Sequence, residues 1–160
     1  MTELRKKPWN RVDQPVYSIA SAWNGKANMN ICTYAVPVSM KPKLYVVAIY
    51  RNTCTLDLVT QSREFVLQLL CEKHYRLVKL FGKTSGRNTD KLSKIKFPLG
   101  SYQSIPYLTD ALAIVHLSVL DFIETGDHIS TICRVNAYRN LSIGKPLTIR
   151  YLQQKKIIRA

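Results

Sequence analysis

The chain has 160 residues, 46% of them hydrophobic, which is enough to bury one sizeable core in a single domain spanning residues 1–160. Its 24 Lys and Arg against 10 Asp and Glu leave a formal net charge of +14, so it draws anions such as nucleic acid or dinucleotide phosphates. No apolar run approaches the roughly 18 residues of a membrane span and "MTELRKKPWNR" lacks the apolar core of a secretion signal, so the expected location is cytoplasmic with no membrane partner; Cys32, Cys54, Cys71 and Cys133 form no C-x-x-C pair and His74, His116 and His128 are scattered, so no metal site is expected.

In chain order, Asn24-Gly25 comes first, because this dipeptide tolerates positive φ at both central positions of a type I′ turn. Residues 18–23 and 26–34 are expected as the two strands it joins. "KLYVVAIY" (43–50) is apolar and β-branched and predicts a buried strand begun by Pro42. "RNTCT" breaks that pattern. Thr55 is a good N-cap for a helix running to about residue 62, and Asp57 suits the positive end of its dipole.

"EFVLQLL" (64–70) predicts another strand. "EKHYRLVKLFG" predicts a helix with Leu77, Val78, Leu80 and Phe81 on one face and Gly82 as its C-cap. "KTSGRNTDKLS" is polar and turn-rich, a loop of a length that usually binds something or moves. Between positions 73 and 96 eight basic residues face Asp90 alone. "ALAIVHLSVLDF" (111–122) predicts a long strand with Leu112, Ile114, His116, Ser118 and Leu120 on one face. "ETGD" turns it back into residues 128–138. There Ile129, Thr131, Cys133, Val135 and Ala137 are expected to fill a core, while His128, Ser130, Ile132, Arg134 and Asn136 face solvent, ligand or a partner. A last short strand is expected over 147–152. Strands in meander order with two or three short helices imply a mainly β, mostly antiparallel barrel. No G-x-G-x-x-G or P-loop pattern is present.

The stretches "GKANMNICTY", "VSMKP", "YRNTCTLDLV", "SGRNTDKL" and "ETGDH" together resemble, in this order, the flavin reductase-like family of FMN-binding split β-barrels, which includes NAD(P)H:flavin oxidoreductases and flavoredoxins. They span residues 25–128. The resemblance implies an antiparallel split β-barrel of Greek-key type, FMN as cofactor, NADH or NADPH as co-substrate, and a homodimer. An acceptor oxygenase or an electron-transfer protein is the implied further partner. It also implies that the strand after the first hairpin runs along the flavin, which explains why that strand carries polar side chains.

Onto that strand fall Asn28, Asn30, Ile31, Cys32 and Thr33. Asn30 stands where the family commonly has Met and Ile31 where it has Thr, a change that removes a hydrogen bond worth ~1 kcal/mol. Tyr50, Arg51, Asn52 and Thr55 fall at further cofactor contacts, with Arg51 and Thr55 at the FMN phosphate. Arg51 closing a strand and Thr55 opening a helix can bring a guanidinium, a hydroxyl and free amides to one anion, although a strand-end charge and a helix cap explain the same two residues. Arg87 and Lys91 fall at phosphate or ribityl contacts, with Asp90 tethering the loop. His128 is the implied catalytic or nicotinamide-contacting residue.

Two other functions fit the same residues. A flavoredoxin-type electron carrier would hold FMN without reacting with pyridine nucleotide. A basic barrel of a different class would bind single-stranded nucleic acid by charge and by stacking on Trp9, Trp23, Tyr34 and Tyr50.

Overall fold

A computed structural model describes residues 3–159 of the chain. The first hairpin forms as the sequence predicts: β1 (Tyr17–Trp23) and β2 (Lys26–Cys32) pair in register across Asn24 and Gly25, whose φ values are 50° and 78°. There follow β3 (Ala35–Ser39), β4 (Leu44–Tyr50), α1 (Cys54–Ser62), β5 (Glu64–Leu69), α2 (Val78–Lys83), β6 (Leu99–Tyr102), β7 (Ile105–Leu108), β8 (Ala113–Thr125), β9 (His128–Asn140) and α3 (Ile149–Gln154).

Seven strands make one antiparallel sheet in the order β2-β1-β5-β8-β9-β4-β3, and β6 with β7 forms a separate hairpin. Consecutive strands β2 and β3 are its opposite edges. Only Thr33 and Tyr34 join them, a span of at most ~11 Å, so the sheet must curl until its edges nearly meet. The Ala48 amide then donates to the Tyr34 carbonyl at 2.8 Å. The result is the expected split barrel, curled but not closed.

β5 shows why its sequence is continuously apolar. Phe65 and Leu67 point into the curl with Ile19, Val47, Leu117 and Cys133, whereas Val66 packs on the other face with Met29, Phe81, Leu108, Leu147 and Leu152. Each such side chain contributes roughly 1.5–3 kcal/mol on burial. In β9 the predicted phase holds, with Thr131 and Cys133 buried. In β8 it holds only to His116. Leu117 and Val119 continue the opposite face, begun by Val115 in the other core, so this half of β8 is covered on both sides, and the register shift after Val119 leaves Leu120 unpaired and exposed.

Three local expectations are corrected, and one element was not foreseen. Thr53, not Thr55, caps α1, its hydroxyl accepting from the Leu56 amide at 3.2 Å. Gly82 lies inside α2 instead of capping it, and residues 72–77 wind as a 3-10 helix. Residues expected as a last strand become α3, because the Thr148 hydroxyl accepts from the Tyr151 amide and starts a helix. The β6–β7 hairpin was not predicted: its turn uses Gln103 and Ser104 at φ 48° and 69°, neither a usual turn signal.

Both sheet edges are modified. β3 carries Pro37 and a bulge before Ser39. β2 is covered by the segment after α2, where the buried ammonium of Lys91 donates to the carbonyls of Met29 on β2 (3.3 Å) and Phe81 on α2 (2.9 Å). All four cysteines are free and buried.

A second polar unit, buried at His74, ties the turn after β5 to the turn between β7 and β8. The Cys71 amide donates to His74 Nδ1 at 3.1 Å, which leaves the proton on Nε2 to be donated to Asp110 at 2.9 Å; Lys73 pairs with the other Asp110 oxygen at 2.6 Å. Burial lowers the His74 pKa, partly opposed by Asp110. Burial works to raise Asp110, but the hydrogen bonds from Lys73 and His74 outweigh it and leave its carboxyl below the usual value. Unfolded His74 therefore binds a proton at a higher pH than folded His74 does, so stability falls as pH drops below about 6.5, with Asp110 adding to the loss further into acid. Urea midpoints should decline between pH 7 and pH 5 in the parent and stay flatter in His74→Gln; parallel curves would remove His74 from this role.

Candidate functional site

A cleft of about 340 Å³ opens where β2, the end of β4, the start of α1 and the segment following α2 converge. That volume lies in the range of small-molecule sites, ~300–1,000 Å³. Asn28, Asn30 and Ile31 come from β2, Tyr50 and Asn52 from the end of β4, and Thr53 and Cys54 from the start of α1. Residues 82–86 and Lys91 complete its wall.

Local chemistry explains how α1 comes to point its first turn here. Asn52 takes φ 58°, which reverses the chain after β4, and the Thr53 hydroxyl both donates to the Tyr50 carbonyl at 2.9 Å and caps the helix. The nine-residue α1 thus presents first-turn amides and the positive end of its dipole toward the cleft. Asn28 is buried and donates from Nδ2 to Thr55 Oγ1 at 3.0 Å, binding β2 to α1 beneath the cleft floor. Gly86 passes so close that a Cβ there would run into the Asn28 carboxamide.

The other wall is held by Arg87 and Lys91. Arg87 donates to Asp57 Oδ2 from Nη2 at 2.6 Å and from Nε at 3.0 Å, and to the Asn52 carbonyl at 3.2 Å, so it fastens the loop across α1. Burial lowers the Lys91 pKa, and two carbonyls take up its ammonium.

Beside the cleft His128 stands between two tyrosine rings, with centroids 5.0 Å from Tyr34 and 5.3 Å from Tyr50. Its Nδ1 lies 2.6 Å from Asp127 Oδ1, which fixes a proton on Nδ1 and leaves Nε2 as the acceptor in the neutral ring. Arg51 holds this corner in place. Its Nε donates to the Gly126 carbonyl at 2.7 Å, its amide to the Asp127 carbonyl at 3.0 Å, and its guanidinium lies 3.7 Å from Glu124.

Of the residues implied by the sequence resemblance, the structure therefore brings Asn28, Asn30, Ile31, Tyr50, Asn52 and Lys91 to one cleft. Thr55 sits beneath it. Cys32 is buried, its thiol pushed up to about 12 by burial, and Thr33 lies on the far side with the N-terminal segment. Arg51 and Arg87 fasten the surrounding turns and are not among the lining residues. The sequence reading missed Thr53, Cys54 and residues 82–86. The helix start could have shown the first two, whereas only the fold reveals that the end of α2 faces β2.

The lining is neutral hydrogen-bonding groups and two lysines, with no carboxylate. Such a set, with the Lys91 ammonium already held by two carbonyls, suits an anionic group that accepts hydrogen bonds.

A model of the flavin reductase-like domain family matches residues 9–155. Among curated proteins, an uncharacterised protein of Archaeoglobus fulgidus is 29% identical over 105 residues and a probable flavin reductase of Rhizobium meliloti is 27% identical over 103, each alignment covering 64% of this chain. The aligned parts span 59% and 32% of those two proteins, so the chain matches only part of each. The crystal structure of an FMN-binding protein from Thermus thermophilus superposes with a TM-score of 0.75 at 23% identity, covering 84% of this chain and 74% of that one.

Proposed function

The chain belongs to the flavin reductase-like domain family, and from that premise we propose that it binds FMN in the cleft beside α1 and takes hydride from NADH or NADPH. The observation that carries this reading is the carboxylate-free cleft into which the first turn of α1 opens. Amides of that turn left free by the Thr53 cap, with the Lys83 ammonium, suit a terminal phosphate. Asn28 and Asn30 along β2 suit the polar edge of the ring system. A bound flavin supplies the two-electron chemistry; this chain's residues bind it, orient it and leave one face open. The Tyr34, His128 and Tyr50 cluster borders that open side, and its flat rings suit a nicotinamide laid against the flavin.

Titration with FMN should shift and quench the free-flavin spectrum, and anaerobic NADH or NADPH should then bleach it. Failure of the first step removes the flavin reading. Bleaching by dithionite but by neither nucleotide leaves an electron carrier. His128→Ala should slow bleaching by about tenfold with FMN affinity changed less than twofold, since a positioned hydrogen-bonding group acts on the reactive geometry; equal bleaching rates would take His128 out of the mechanism.

The same reading includes a homodimer. Val36 and Val38 of β3 and Leu120, Ile123 and Tyr138 of the β8–β9 arm remain exposed, giving apolar surface for a second copy. Sedimentation should find a species of twice 18.3 kDa. Among the described residues no helix is long and apolar enough to cross a membrane.

A further inference from the structure

Beyond the cleft wall lies a second, broader groove of about 700 Å³, lined by Lys79, Lys83, Gln153, Lys156 and Arg159 over Ile157 and Ile158. Lys83 lines both spaces, so the groove adjoins the proposed flavin cleft directly. Its shape is fixed by backbone geometry. Lys79 and Lys83 are one turn apart on one side of α2. On the opposite wall Lys156 takes φ 57°, and the amides of Lys155, Lys156 and Ile157 bond back to Tyr151, Gln153 and Leu152 at 2.9–3.0 Å, which winds the tail tightly after α3. Lys155 points elsewhere, its ammonium lying over the rings of Tyr75 and Tyr151.

The charge pattern selects a ligand class. Among the described residues no carboxylate lines this groove, and no ion pair engages Lys79, Lys83 or Lys156. An unmodified adenosine ribose presents a 2′-hydroxyl, which a carboxylate recognises well; a 2′-phosphate needs cations and is repelled by a carboxylate. The apolar pair Ile157 and Ile158 offers a floor for adenine, with the Gln153 amide at its edge.

We propose that this groove binds the adenosine 2′-phosphate of NADPH, with Lys79 and Lys156 as the principal contacts, so that the protein prefers NADPH to NADH. This rests on the flavin-reducing function proposed above, since the nicotinamide end must reach the neighbouring cleft.

The test uses flavin-free protein and two fragments, 2′,5′-ADP and 5′-ADP, titrated calorimetrically at 0.15 M salt, where a diffuse field is largely screened. The parent should bind 2′,5′-ADP at least tenfold tighter than 5′-ADP. The double variant Lys79→Ala, Lys156→Ala should lose about tenfold on 2′,5′-ADP and less than twofold on 5′-ADP. Both lysines are exposed, so folding is not at issue. Equal affinity for the two fragments in the parent, or a preference that survives both substitutions, overturns the proposal. Because FMN is absent, this outcome is independent of the FMN titration that tests the function itself.

Discussion

Lys91→Met should destabilise the protein by roughly 2–4 kcal/mol, read as a lower urea midpoint with an unchanged slope. The methionine keeps the packed stem, so the loss isolates the ammonium. Two acceptors depend on it. Phe81 lies in the last turn of α2, where helix carbonyls lack intrahelical partners, and Met29 lies on β2, an edge strand with one side unpaired by the sheet. Leaving a buried acceptor unsatisfied costs about 1–3 kcal/mol. Burial lowers the Lys91 pKa, so the unfolded chain binds more protons between the lowered value and the usual 10.5, and this residue makes parent stability rise with pH across that window. The variant should lack that alkaline rise. An unfolding free energy within about 0.5 kcal/mol of the parent would show that water or rearranged backbone satisfies both carbonyls.

Gly86→Ala should weaken FMN by roughly tenfold or more and lower stability by about 1–3 kcal/mol. Its φ is not the issue, because Gly86 is not among the positive-φ glycines; space is. The new methyl would meet the Asn28 carboxamide, which the bond to Thr55 holds in place, so either that bond breaks or the loop wall moves off the cleft. Adding Asn28→Ala makes room for the methyl and should restore part of the stability lost in Gly86→Ala, a coupling visible in a double-mutant cycle. Additive effects of the two substitutions would mean that this contact does not determine the loop position. Ser85→Ala, one residue away, serves as the control for general loop sensitivity.

What the sequence showed and what it hid follow from range. Asn24-Gly25, the apolar run of β4 and the alternation in β9 are local signals, and each produced the predicted element. That β8 is covered on both faces as far as Val119 and bulges at Leu120 is announced by no local pattern. Thr53 and Thr55 are both competent caps by type; only the reversal at Asn52 selects Thr53 and frees Thr55 to accept from Asn28, 27 residues away. The site divides the same way. The polar strand around Asn28 and Asn30 was legible, whereas the packing of residues 82–86 against it depends on how α2 docks. Arg51 and Arg87 carried the strongest expectation of anion contact by charge, yet their hydrogen bonds run to Gly126, Asp57 and Asn52.

The open seam of the curled sheet has a consequence for the behaviour of the protein at high concentration. A sheet that does not close keeps two strand edges, each a template on which another chain can add, and such addition leads to fibrils and precipitates. Here each edge is blunted by a different device. Pro37 removes a donor from β3 and the following bulge interrupts its regular spacing. On β2 a buried positive charge takes up an edge carbonyl, so an incoming strand would have to displace Lys91 and the loop that carries it. Strand-by-strand growth is thereby disfavoured at both edges, which leaves side-chain faces as the surface on which another copy could pack.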